Sequence, residues 1–255
     1  MRHGRQVIPT ERQVPSYRHR TDDRRPTMVE TGQALRWVEE GQRLFEEQAA
    51  TADLTAPSLL PGWTRAHVVG HLAGSADALG RLLTGVRTGV EAPMYTSDES
   101  RAADIERRAT QTPKELFEEL VASGKRFAEE FATLPESARS TQIRHRTGIM
   151  FAAGDIPWLR AREVWIHSVD LDTGVGFDAF PAGFVDALLD DVSRDLARHD
   201  DCPSVTLAPD DRPRTWQIAG TGPAHTATGP AADLLAWTLG RRPAPTGLPT
   251  LPAWI

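Results

Sequence analysis

At 255 residues the chain has room for one large domain or two modest ones. Its formal net charge is −6 and no basic stripe interleaves with aromatics, which argues against nucleic acid as a partner; no apolar run approaches a membrane span. The single cysteine, Cys202, cannot form an internal disulfide, which fits a reducing cytoplasm, and its acidic surroundings in HDDCPS make it a poor nucleophile.

Residues 1–27 are polar, arginine-rich and without periodicity, and they lack the apolar core of a secretory signal. A disordered tail is expected there, with Met28 as the expected start of the native chain. Residues 31–50 read as an amphipathic helix with Leu35, Val38, Phe45 and Ala49 on one face. Pro57 and the run LLPGW break that pattern, and Thr64 is placed to cap a second helix whose inner stripe is Val68, Leu72, Ser75, Leu79 and Leu82. A loop carrying Met94, Tyr95 and Arg101 follows. Thr112-Pro113-Lys114-Glu115 is a capping box with proline at the first helical position, and Leu116, Leu120, Phe127 and Phe131 are the stripe of the helix it opens. Residues 136–154 read as irregular.

The next helix, expected over 155–172, carries the most informative spacing in the chain. Asp155 can cap it and Pro157 fits its first turn. Glu163 and His167 lie four apart, on the face shared with Leu159 and Ile166 that a helix normally buries. A buried carboxylate needs compensation, which a metal bound by Glu163 and His167 would supply; pairing of Glu163 with His167 or a nearby arginine would serve as well. His67 and His71 lie four apart on the second helix. If those two helices meet, His71 can join Glu163 and His167, and three protein ligands leave a coordination position open, as catalytic sites require. His67 reads as a first-turn surface residue. Asp170 is placed to orient His167. Arg101 and Arg241 could each bind a carboxylate bidentately. No phosphate loop and no nucleophile elbow are present, and without a usable cysteine any thiol chemistry would need an external thiol.

Asp172-Thr-Gly-Val-Gly reads as a stop and a domain boundary. Beyond it come a helix over 181–199, three short strands at 204–208, 215–219 and 225–229, and a last helix opened by Pro230 and ended at Gly240-Arg241. The expected fold class is therefore an N-terminal all-α four-helix bundle over residues 28–172, followed by a small α+β domain over 173–255.

Four runs, in order, resemble the mycothiol-dependent maleylpyruvate isomerases of the DinB-like superfamily: LLPGWTRAHVVGHLAGSADALGRLLTGVRTG, PMYTSDESRAADIE, IPWLRAREVWIHSVDLD and GPAADLLAWTLGRR. The resemblance spans about residues 29–252. It implies a DinB-like metal-binding bundle, with zinc as the expected divalent cation on His71, Glu163 and His167. It places the functional arginines at Arg101 and Arg241, and the active site between the two domains. The implied reaction is cis–trans isomerisation of maleylpyruvate to fumarylpyruvate in gentisate-type aromatic degradation: the mycothiol thiolate adds, the former double bond rotates, and the thiolate leaves. The expected partners are a small thiol and a small carboxylate substrate, with no nucleic acid and no membrane, and a cytoplasmic monomer is expected. Relatives often carry Arg-Asn at the positions of Gly74-Ser75 and His-His at those of His167-Ser168, differences that bear on the pocket more than on the ligands. A mycothiol S-transferase and a non-catalytic metal- or thiol-binding protein are the alternatives on this scaffold.

Overall fold

The computed structural model describes residues 29–254; the expected tail over 1–27 and the expected start at Met28 lie outside them. Among the described residues the chain holds seven α-helices and two small sheets, arranged as two compact units, 29–188 and 189–254.

The first unit begins with α1 (Thr31–Ala49), capped by Glu30, whose carboxylate accepts from the Gly32 and Gln33 amides at 2.8 and 2.9 Å. Ala34, Trp37, Gly41, Phe45, Gln48 and Ala49 are its buried positions, the three-and-four spacing of a single helix face. α2 (Arg65–Thr88) follows Thr64. α3 (Asp98–Ala109) opens on a box in which Ser97 and Ser100 each accept the other's backbone N–H. This helix corrects the sequence reading: Arg101 stands on its first turn, not in a loop. An apolar stripe is missing there because α3 buries only Ile105 and Arg108, so the periodicity was too weak to read. α4 (Pro113–Ala132) starts at the expected Thr112–Glu115 capping box, with Leu116, Leu120, Phe127 and Phe131 buried.

Residues 136–154 are not irregular throughout. β1 (Gln142–Arg144) and β2 (Met150–Ala152) form an antiparallel hairpin, with Ile143 opposite Phe151. Strands of three residues are too short for alternation to stand out. α5 (Ile156–Asp170) comes next, preceded by Asp155, whose side chain makes no cap hydrogen bond to it.

α2 packs on α4, α3 and α5, and α1 packs on α5 and α4. The α1–α5 approach is close enough to demand glycine: a Cβ on Gly41 would lie 2.6 Å from Val164 Cγ2 and 2.8 Å from Trp165 Nε1. Trp165 Nε1 donates to the Trp37 carbonyl at 2.8 Å at that crossing. Phe184, near the start of α6 (Ala182–Leu196), lies within ring contact of Trp37, Trp158, Trp165 and Phe180, which closes this aromatic core.

The second unit takes the rest of α6 and a three-stranded sheet of β3 (Pro203–Pro209), β4 (Trp216–Ile218) and β5 (Thr221–Gly229) in the order β4-β3-β5. β3 is antiparallel to β4 and parallel to β5. It is the central strand, and its Val205, Leu207 and Pro209 are buried in alternation. α7 (Ala231–Thr238) packs on β5 and β3. No helix among the described residues is long and apolar enough to cross a membrane.

Candidate metal centre

Helix α5 explains how a carboxylate and an imidazole come to lie at the edge of the buried core. Of its fifteen residues, thirteen are buried; the two that are not are Glu163 and His167. The pair therefore lines the one strip of α5 that opens outward, rather than the sealed face shared with Leu159 and Ile166. Its side chains keep 28% and 13% exposure, enough for an ion or ligand to reach.

Across from this strip stands His71 of α2, buried against Trp63, whose ring centroid lies 5.7 Å away. His71 Nε2 is 2.9 Å from Glu163 Oε2, and His167 Nε2 is 3.5 Å from the same oxygen. The two imidazoles meet edge to face with centroids 4.7 Å apart. One ligand atom from each of His71, Glu163 and His167 falls within 4.8 Å of the others, the group among the described residues able to hold a metal ion.

Electrostatics prepare these donors. Burial pushes the His71 imidazole down to about 4, against the opposing pull of Glu163, so it is neutral at neutral pH and has a free lone pair. Burial raises the Glu163 carboxyl, but hydrogen bonds from His167 and His71 outweigh it and hold the group well below the usual carboxylate range. His167 is raised: burial works against its charge, and the hydrogen bonds to Asp170 and Glu163 overcome that. Asp170 is fully buried, its Oδ2 lies 2.9 Å from His167 Nδ1, and its backbone carbonyl accepts from the Leu59 amide. A carboxylate behind Nδ1 keeps the proton on that nitrogen and leaves Nε2 facing His71 and Glu163, the arrangement that supports histidine ligands. A carboxylate oxygen and two imidazole nitrogens at this spacing fit a divalent transition ion.

Arg101 belongs to the same site. Its Nη2 lies 3.3 Å from His71 Nδ1, and its guanidinium stands 6.0 Å from the centre of the Tyr95 ring. Arg160, one turn before Glu163 on α5, is wholly buried. It donates to the Leu72 carbonyl at 2.8 Å and to Gln42 Oε1 at 2.7 Å, so it ties α2 and α1 to α5 directly behind the triad. Burial lowers its pKa to about 10, which still leaves it charged at neutral pH. His67 takes no part: Nδ1 lies 2.7 Å from Thr64 Oγ1 and Nε2 faces Glu106 at 3.3 Å. Arg241 follows α7 in the second unit, where its Nη1 donates to the Leu239 carbonyl at 2.9 Å. Cys202 is buried, and burial raises its thiol to about 11, so it is inert as a nucleophile. Sequence reasoning assigned no part to Trp63, Tyr95 or Arg160. Tyr95 and Trp63 had a faint signal in standing within the runs around the ligands, whereas Arg160 was one arginine among many.

The helical unit thus brings two histidines and a carboxylate within ligand distance of one another, with a buried aspartate behind one histidine, a donor set that could hold a metal ion. The family model "Mycothiol maleylpyruvate isomerase N-terminal domain" matches residues 35–172, more than half of the chain, and the chain belongs to that family. The crystal structure of the mycothiol-dependent maleylpyruvate isomerase is similar with a TM-score of 0.82 at 27% identity, over 90% of this chain and 100% of that one. A variant of that isomerase with one histidine replaced by alanine gives 0.83 at 26% identity, with the same coverage. No curated protein matches the sequence.

Proposed function

We propose that this chain is a mycothiol-dependent isomerase that converts maleylpyruvate to fumarylpyruvate in aromatic degradation in the cytoplasm. In this reading its helical unit is a DinB-like four-helix bundle and its ion is zinc, held by His71, Glu163 and His167. The observation that carries the reading is the convergence of those three donors from α2 and α5, with Arg101 beside them, in a chain of this family.

The bound ion and mycothiol would supply a thiol kept deprotonated at neutral pH and able to add to, and leave, an activated double bond. The chain's own residues do the rest. Asp170 holds the proton on His167 Nδ1 and so fixes the direction of Nε2. Trp63 packs against the His71 ring. Arg101 binds a substrate carboxylate and offers N–H donors to the negative charge that develops next to it. The likeness to the solved isomerase supports this reaction over transfer of the thiol to an acceptor.

The test is product analysis. Zinc-loaded protein with mycothiol and maleylpyruvate should give fumarylpyruvate, followed by proton NMR of the alkene. A stable thioether as the only product would replace the isomerase reading with an S-transferase. No turnover of any electrophile would leave a binding protein.

A further inference from the structure

Two guanidiniums stand against the Tyr95 ring. Arg81 stands 5.6 Å from the ring centre and Arg101 6.0 Å. Arg81 is committed, because Nε and Nη2 both donate to the Met94 carbonyl and so fix the loop that carries Tyr95. Arg101 reaches the triad through His71. A further arginine, Arg146, is in the turn of the β1–β2 hairpin and faces Asp98 at the start of α3.

That turn is built to present a side chain. The His145 amide donates to the Ile149 carbonyl and the Gly148 amide to the His145 carbonyl, both at 2.8 Å, and His145 Nδ1 lies 2.8 Å from Thr147 Oγ1. Arg146 Nη1 lies 3.8 Å from Asp98 Oδ1, too far for a hydrogen bond, and the Asp98 side chain is 85% exposed. Such a pair contributes little and yields readily to another anion. Asp98 and Arg101 are one turn apart on α3, so Arg146 and Arg101 approach the same face of that helix. The Tyr95 phenol senses all of these groups. Burial raises its pKa, Arg101 lowers it, Glu163 raises it, and Arg81 and Arg146 lower it further.

We propose that Arg146 is a specificity-determining residue that binds the second carboxylate of a dicarboxylate substrate whose first carboxylate is held by Arg101. The substrate class rests on the isomerase reading; the placement of Arg146 does not. A dianion would replace Asp98 on Arg146 and span from there to Arg101 at the triad. A monocarboxylate would engage Arg101 alone.

The test is calorimetric titration of the zinc-loaded full-length protein with maleate, a dicarboxylate alkene, and with acrylate, a monocarboxylate one. Arg146→Gln should weaken maleate binding roughly ten- to hundredfold and leave acrylate within about twofold, as expected for loss of one charge-assisted contact. Arg146→Lys keeps the charge but loses the planar fork and should fall between. Asp98→Asn removes the competing carboxylate and should tighten maleate binding. Circular dichroism checks the fold of each variant. Maleate binding unchanged in Arg146→Gln overturns the proposal, as does a wild-type protein that binds maleate no more tightly than acrylate. Turnover plays no part in the titration, so a protein inactive on maleylpyruvate would sink the functional reading and leave the maleate result standing.

Discussion

Two charge clusters among the described residues of the helical unit contrast with each other: one ties helices together, and the other gathers donors that could hold an ion. Around Arg108 of α3, Nε donates to Glu119 of α4 at 2.9 Å, Nη2 to Asp77 of α2 at 3.0 Å, and Nη1 to Asp104 one turn earlier on α3. Gly74 makes the approach possible, since a Cβ there would lie 2.6 Å from Arg108 Nη1. Every edge of the guanidinium is used, and the cluster ties three helices together. At the triad, one carboxylate oxygen faces two imidazole nitrogens, and a third group, Asp170, holds His167 from behind. Here the lone pairs converge on one open strip of α5. Burial of charge is common to both clusters. Surplus acceptors aimed at a single point are what separate a ligand site from a structural ion pair.

The largest expected effect tests the triad side of this contrast. His71→Ala, Glu163→Gln and His167→Ala should each abolish activity and leave the purified protein largely without metal, with helical circular dichroism retained. Full metal occupancy by elemental analysis in all three would overturn the ligand assignment.

Arg108→Met should do the reverse. It strands partly buried carboxylates on Asp77, Asp104 and Glu119, and unfolding in urea should show a loss of about 3 kcal/mol, near the low end for breaking a buried pair. Metal affinity should hardly change. A variant as stable as the parent would mean that Arg108 is not the tie described above.

A smaller effect is expected at Asp170. Asp170→Asn should keep the fold but weaken metal binding by roughly ten- to a hundredfold, the usual cost of disturbing a partner behind a histidine ligand. Competition with a chromophoric chelator measures it, and parental affinity would show that Asp170 does not orient His167.

The gentlest probe is pH. His167 has a folded-state pKa raised above its ordinary 6.5, so a metal must displace its proton more often as the pH falls. Affinity should therefore rise with pH through the folded pKa of His167, measured between about pH 5.5 and 8, and a flat profile would contradict the role of His167. Without metal the same group acts oppositely: its contribution to stability is complete below about 6.5 and is lost as pH rises through the raised folded value.

Much of this was legible in the chain itself. Capping at Thr112–Glu115 and the stripes at Phe45 and Leu116 marked helices where they form, because caps and periodicity are local properties. The four-residue step from Glu163 to His167 put both on one face for the same reason. Whether His71 would meet them was conditional on α2 lying against α5, and only packing decides that. Arg101 was singled out, but on the wrong kind of element, since α3 is almost wholly polar and holds its place through Arg108.

By itself, then, the sequence determined the existence and faces of the long helices and the i, i+4 pairing of two ligands, because a helix repeats every few residues whatever surrounds it. Only the tertiary structure decided that α2 lies against α5 so that His71 meets the pair, that its strip of α5 stays open, and that the turn of a hairpin of two three-residue strands sets Arg146 beside Asp98 of α3. These depend on contacts between residues tens of positions apart, for which local pattern carries no information.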